Sequence, residues 1–387
     1  MKLKTLLLSS VAAFAVVGGA QAADLSVAEP VDYVKVCDAF GAGYWYIPGS
    51  DTCLKIGGLV RMDITFATSH VTDSTAAYNF NTGALTANSG HTASWEFNTE
   101  AHVTVTAKSM TEYGPLTAFM ELRAKSANSD ASNNVAVAGT STLADSGTRF
   151  AYLDSAYLEL GMLLVGRTGS VYDYSGGFNR DWMDLDADDG ADQVRLTWAM
   201  SGFGIQLAIE DPRDRWGSTL PDSYSMPAIV GNISWAQGPW SVQLSGGYVE
   251  TAPGGGFGAQ IGTTWKLDSI APGDKLLLKA AWAQSEASRF AVSGWGVDSG
   301  GSVWSAAASF QHFWAPTLSS AVTFQYANGS GGATLLDTTS YSIVGNLVWA
   351  PVTGFFAGVE GGYTNTDVSG SPSADKWGVK IRLERDW

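Results

Sequence analysis

Over residues 92–108 the chain alternates. Odd positions are mostly apolar: Ala93, Trp95, Phe97, Thr99, Ala101, Val103, Val105 and Ala107. Even positions are polar, with Glu96, Asn98, Glu100, His102 and Lys108 among them. A repeat of two sends successive side chains to opposite faces of a pleated strand, so this segment predicts a strand with one apolar and one polar face. The pattern returns over 60–66, 116–123, 193–200 and 377–384. Val60, Met62, Ile64 and Phe66 oppose Arg61, Asp63 and Thr65, and Trp377, Val379, Ile381 and Leu383 oppose Lys380, Arg382 and Glu384.

The connections alternate too. Seven are tight and hold the Gly and Pro of turns, at 113–115, 160–162, 201–204, 237–239, 268–274, 315–317 and 350–354. Eight are longer and polar, around 68–91, 127–147, 175–191, 212–226, 251–256, 285–302, 328–339 and 365–375. Fifteen alternating connections join sixteen strands. An even strand number with short turns at one end and long loops at the other predicts a transmembrane β-barrel. Closure leaves no unpaired strand edge, which lipid would not tolerate. A soluble β-sandwich would turn its polar faces outward. Turned inward they would meet a packed core, which rejects ionised groups. No repeat of solenoid length is present. At sixteen strands an aqueous lumen remains. The predicted fold is therefore all-β, a sixteen-stranded antiparallel barrel in contact with lipid.

Composition sharpens this. The chain has 45 Gly, 15 Trp, 14 Tyr and 16 Phe but only 15% charged residues, against a usual figure of about 25%. A net charge of −15 argues against nucleic acid as a partner. Residues 1–22 read as a signal peptide: Lys2 and Lys4, an apolar run too short to span a bilayer, then Ala20-Gln21-Ala22. Residues 23–387 would form the exported barrel. Its two cysteines, Cys37 and Cys53, read as one disulfide in an N-terminal segment over 23–53.

Two charge features stand out. Arg61, Arg123, Lys125 and Arg149 fall on the first four strands, and Lys380 and Arg382 on the last, which closure makes a neighbour of the first. They form one basic arc, or they are scattered at different heights in the lumen. The stretch DWMDLDADDGADQ, residues 181–193, places six carboxylates at the end of the third long loop. If that loop folds into the pore, the acids face the arc and set up a transverse field. If it stays outside, they are a solvated charge run.

The acidic stretch fails as a calcium loop. Asp189 stands where the sixth-position Gly belongs and Arg195 where the twelfth-position Glu belongs. The cluster over 254–258 reads as a loop between strands and lacks the Lys-Ser/Thr of a phosphate loop. The four histidines have no metal spacing, and no G-x-S-x-G elbow occurs. Neither an enzyme nor a cofactor is indicated.

The chain resembles the alphaproteobacterial outer-membrane porins of Brucella and Rhizobium type. The likeness lies in PVDYVKVCDAFGAGYWYIPG at 30–49, TCLKIGG at 52–58, VGRTG at 165–169 and the terminal Trp387. It implies a homotrimer of sixteen-stranded barrels in outer-membrane lipid, each pore narrowed by the third loop, here 175–191. It also implies passive diffusion of ions and small hydrophilic solutes. On that likeness Asp181, Asp184, Asp186, Asp188 and Asp189 are constriction acids, and Arg61, Arg123, Arg149 and Arg382 their basic counterparts. Trp387 departs from the Phe more common at that terminus. The rival functions are a substrate-specific channel, and a plugged barrel serving as enzyme or anchor.

Overall fold

The structure, a computed structural model, describes residues 35–71, 77–79, 84–86, 92–127, 148–180, 185, 187, 189–216, 226–251, 254–292, 295, 300–331, 337–370 and 373–387. The expected signal peptide lies outside them. Sixteen strands make the wall. The first eight are β1 (Cys53–Val71), β2 (Thr92–Thr111), β3 (Gly114–Ala127), β4 (Thr148–Leu160), β5 (Leu163–Gly169), β6 (Gly190–Met200), β7 (Phe203–Glu210) and β8 (Ala228–Gln237). The rest are β9 (Trp240–Thr251), β10 (Gly254–Lys266), β11 (Lys275–Gln284), β12 (Ser302–Ala315), β13 (Leu318–Ser330), β14 (Thr338–Val352), β15 (Phe355–Val368) and β16 (Ala374–Asp386). Each pairs antiparallel with its sequence neighbours. β16 returns to β1, with Ala374 opposite Val71 and Asp386 opposite Leu59. Trp387 and Gly58 then exchange backbone hydrogen bonds of 3.1 and 3.3 Å, so the seam is paired to its end.

Burial is inverted relative to a soluble protein. On one face Phe97, Val103, Leu207, Leu244, Ile261, Val322 and Ile381 are exposed. On the other Glu100, Gln193, Gln260, Lys279, Glu360, Lys380 and Arg382 are buried. Apolar side chains outward and polar ones inward suit lipid outside and water inside. Exposed aromatics mark the two rims. Trp240, Trp314 and Trp349 sit beside the tight turns, and at the opposite end Trp95 and Trp377 flank Phe66, with ring centroids 4.9 and 5.6 Å from it.

All seven tight turns fall where the Gly and Pro positions place them. The fifth long connection is different. β9 runs to Thr251 and β10 starts at Gly254, so the glycines over 254–258 belong to a strand. A second departure lies between β3 and β4, where the register shifts after Glu121. The shift adds a residue to β4. Beyond it Arg149 pairs with Ser126, whereas Glu159 below it pairs with Thr117. A strict period of two therefore does not carry through β4.

Residues 35–52 close a small knot at the foot of β1. Trp45–Tyr46 pairs with Leu54 and Cys53, and the Cys37–Cys53 disulfide is buried beside Tyr44. Lys55 lies 5.8 Å from the Tyr44 ring centre, and Lys108 from β2 lies 5.9 Å from it. Cross-linking over 16 positions removes loop entropy from the unfolded chain. The double variant Cys37→Ser/Cys53→Ser is expected to lose about 3 kcal/mol, read as a lower denaturant midpoint under oxidising conditions. An unchanged midpoint would show that the knot adds nothing to the barrel.

Candidate functional site

The lumen has two unlike sides. Along β15, β16 and β1 to β4 it is a ladder of opposite charges. Arg382 on β16 donates from Nε and Nη2 to both carboxylate oxygens of Asp63, each at 2.7 Å. Arg61 reaches Glu100 at 2.9 Å and Glu384 at 3.8 Å. The His102 ring lies between two acids, with Nε2 2.8 Å from Glu100 and Nδ1 2.8 Å from Glu121. Arg123 donates to Glu121 and to Asp154, both at 2.8 Å. Lys380 stands 3.3 Å from Glu360. Register produces these pairs, since Arg61 is directly opposite both Glu100 and Glu384, Arg382 opposite Asp63, and Lys380 opposite Glu360.

The third loop leaves β5 and runs across the polar faces of distant strands. No ladder pairs the backbone of its described residues, so their amides and carbonyls need other partners. Gln260 on β10 donates to the Tyr172 carbonyl at 2.7 Å, and Gln243 on β9 to that of Asp173 at 3.1 Å. Lys279 on β11 donates to the Tyr174 carbonyl at 2.8 Å. The Phe178 amide donates to Ser309 Oγ at 3.0 Å, and Asn346 on β14 donates to the Phe178 carbonyl at 2.9 Å. The Arg180 amide donates to Glu360 at 2.8 Å, and Lys380 donates to the Arg180 carbonyl. The Leu185 amide donates to Gln325 Oε1 at 2.7 Å. The chain between Tyr172 and Arg180 thus passes from the β9–β10 wall to the β15–β16 wall.

The opposite side carries an apolar cluster at its long-loop end. Val171, Tyr172, Phe290, Val292 and Trp295 pack with Val230, Val249, Ala281, Ala283, Val303 and Ala327 on the inner wall. Phe290 ends a 3-10 turn (Ser285–Phe290) after β11, and its ring centre is 4.5 Å from that of Tyr172. Glycines make the room. A Cβ on Gly258 would meet the Phe290 Cβ at 2.6 Å, and one on Gly247 would meet the ring at 2.6 Å. A Cβ on Gly262 would run into the Tyr174 ring. A short helix, α1 (Pro212–Trp216), adds Arg215 to this core. Its guanidinium grips Asp173 at 2.9 and 3.0 Å and Asp189 at 3.0 Å. It also lies 5.0 Å from the Phe290 ring centre and 5.6 Å from that of Tyr172. Burial pushes the Asp173 carboxyl and the Tyr172 hydroxyl up. Burial alone would lower Arg215, but Asp173, Asp189 and Glu210 hold it above its usual range, so it stays a cation.

Of the expected constriction acids, Asp181, Asp184, Asp186 and Asp188 lie outside the described residues. Asp189 is described, and it bonds to Arg215 and, through its amide, to Asp173 at 2.8 Å. Arg61, Arg123 and Arg382 are placed on the ladder, each beside a carboxylate. The Arg149 side chain lies outside the described residues. Arg215, Asp173, Tyr172 and Phe290 were not singled out from the sequence. Their one sequence signal is the glycine run of β10, which had read as a loop.

Relatives are found on both counts, sequence and fold. Porin Omp2b of Brucella canis is 34% identical over 257 residues, 62% of this chain and 64% of that protein. The chain thus matches just under two thirds of the Brucella porin's length. A putative outer membrane protein, y4fJ, of Sinorhizobium fredii is 40% identical over 176 residues, 45% of this chain and 44% of the other. Among solved structures, the outer membrane channel DcaP of Acinetobacter baumannii superposes with a TM-score of 0.67 at 14% identity, covering 88% of this chain and 99% of that one. The anion-selective porin from Comamonas acidovorans gives 0.54 at 12% identity, covering 87% and 100%. At such identities these two speak for the fold alone. The family model described as "Porin subfamily" matches residues 24–386, nearly the whole chain, and the chain belongs to that family.

Proposed function

We propose that this protein is an outer-membrane porin, a water-filled channel for passive diffusion of ions and small hydrophilic solutes. The observation that carries the reading is the closed barrel whose buried face is ionised along β15, β16 and β1 to β4 while its outer face is apolar. The apolar core packs on the β7–β13 wall at its long-loop end, so the open path there runs along the charged ladder, bounded by the third loop. Its paired charges bind no ion tightly, yet they keep water in place and orient polar solutes. Transport of this kind needs a hydrated path and a field, and no covalent step. The family supports a homotrimer, which light scattering of the detergent-solubilised protein tests.

Single-channel recording in planar bilayers decides the main point. Discrete conductance steps are expected, with weak cation preference in a salt gradient because the chain is acidic. A silent bilayer would sink the channel reading in favour of a plugged barrel. Saturable block by one nutrient would favour a substrate-specific channel.

On the same reading, the acids at 181–188 line the narrowest part of the path. The triple variant Asp184→Asn/Asp186→Asn/Asp188→Asn is expected to move the reversal potential towards anions with the barrel still folded. An unmoved reversal potential would place those carboxylates in bulk solvent.

A further inference from the structure

Lys266 ends β10 and Lys275 begins β11, directly opposite each other across the pair. Both lie on the lumen-facing register, Lys266 in step with Gln260 and Thr264, Lys275 in step with Leu277 and Lys279. The arginines of the charge ladder each sit beside a carboxylate. These two lysines do not: among the described residues no acid comes within ion-pair distance of either. Two like charges facing each other across a strand pair repel and destabilise it.

Beside them, against the β8–β9 turn, opens a cavity of about 320 Å³, lined also by Phe178 of the third loop, Pro239, Trp240, Ser241 and Thr264. Its place beside the tight turns puts it at the periplasmic mouth of the lumen. The lining combines two lysines, the side chains of Ser241 and Thr264, and two aromatic residues, Phe178 and Trp240. That is the chemistry of a site for an oxyanion carried by a small organic body. A multivalent anion would take hydrogen bonds from both ammonium groups and cancel their repulsion.

We propose that this pocket binds a phosphate-class anion, free or as part of a small phosphorylated solute, at the inner end of the channel. The inference rests on the channel reading for its position on the solute path, but the binding itself can be measured without conduction. The ring of Phe178 covers the organic part, and Lys266 and Lys275 hold the phosphate. An acidic channel with such a mouth would retain anions that its remaining charge would otherwise repel.

The test is calorimetric titration of the purified full-length barrel in detergent with inorganic phosphate and, separately, glucose 6-phosphate. Binding of either to the wild type is expected, weakened at least about tenfold in Lys266→Gln/Lys275→Gln, since each lost charge-assisted contact is worth about that factor. Lys376→Gln, at the far end of the lumen, should bind as the wild type does. Tighter binding of glucose 6-phosphate than of phosphate assigns the site to phosphorylated solutes, and equal binding assigns it to the free ion. No binding by the wild type, or equal binding by the double variant, overturns the proposal. Loss of potassium chloride conductance in the wild type would instead count against the channel, leaving the titration to stand.

Discussion

Replacing Arg215 by methionine is expected to free the third loop while the barrel stays closed. The guanidinium is buried, and it is the shared partner of Asp173 and Asp189, which stand at the two ends of that loop. Methionine keeps much of the apolar stem against Tyr172 and Phe290 but leaves the carboxylates without their cation. Stranding a buried charge in this way costs about 3–5 kcal/mol. The loss falls on loop docking, because among the described residues no wall hydrogen bond involves Arg215. Single channels of Arg215→Met should therefore be noisier and more conductive, and amide exchange should rise over 171–180 with wall strands still protected. Arg215→Lys keeps the charge but not the two-pronged grip. It should lie between wild type and Arg215→Met. Wild-type conductance and exchange in Arg215→Met would show that the ion pairs do not hold the loop.

Nothing local marks Arg215 in the sequence. Arg213, two positions earlier on the same short helix, is exposed and pairs with its neighbour Asp211 at 2.6 Å. The two arginines differ only in what the rest of the fold brings to them. The strand faces were legible because period two is a local property, and the turns because Gly and Pro act on their own backbone. The disulfide was legible because an exported chain with two cysteines leaves one pairing. The charge ladder was half legible. Arg61, Arg123 and Arg382 were found as basic lumen residues, but most of their acids sit across from them on other strands, and register joins positions up to 319 residues apart. The bulge in β4 breaks the parity on which the placing of Arg149 in the arc rested. The glycine run of β10 misled for a further reason. In isolation such a run means freedom to turn, whereas here glycines are needed so that a ring from another segment can lie flat against a strand.

That last point gives a second large effect. Phe290→Ala is expected to cost about 3–5 kcal/mol, the usual loss when a fully buried ring leaves a cavity. The ring seats Tyr172, and through it the start of the third loop, so conductance should rise together with the loss of stability. Gly247→Ala approaches the same contact from the wall, since its Cβ would stand 2.6 Å from the ring. Alone it should also destabilise, because neither the strand nor the packed ring has space to give. Together the two changes should not add. Once the ring is gone the methyl at 247 has room, and Gly247→Ala should cost almost nothing in the Phe290→Ala background. Coupling of this kind is measured by a double-mutant cycle on urea midpoints. Full additivity would mean that the ring does not lie against Gly247, and the apolar cluster of the β7–β13 wall would lose its keystone.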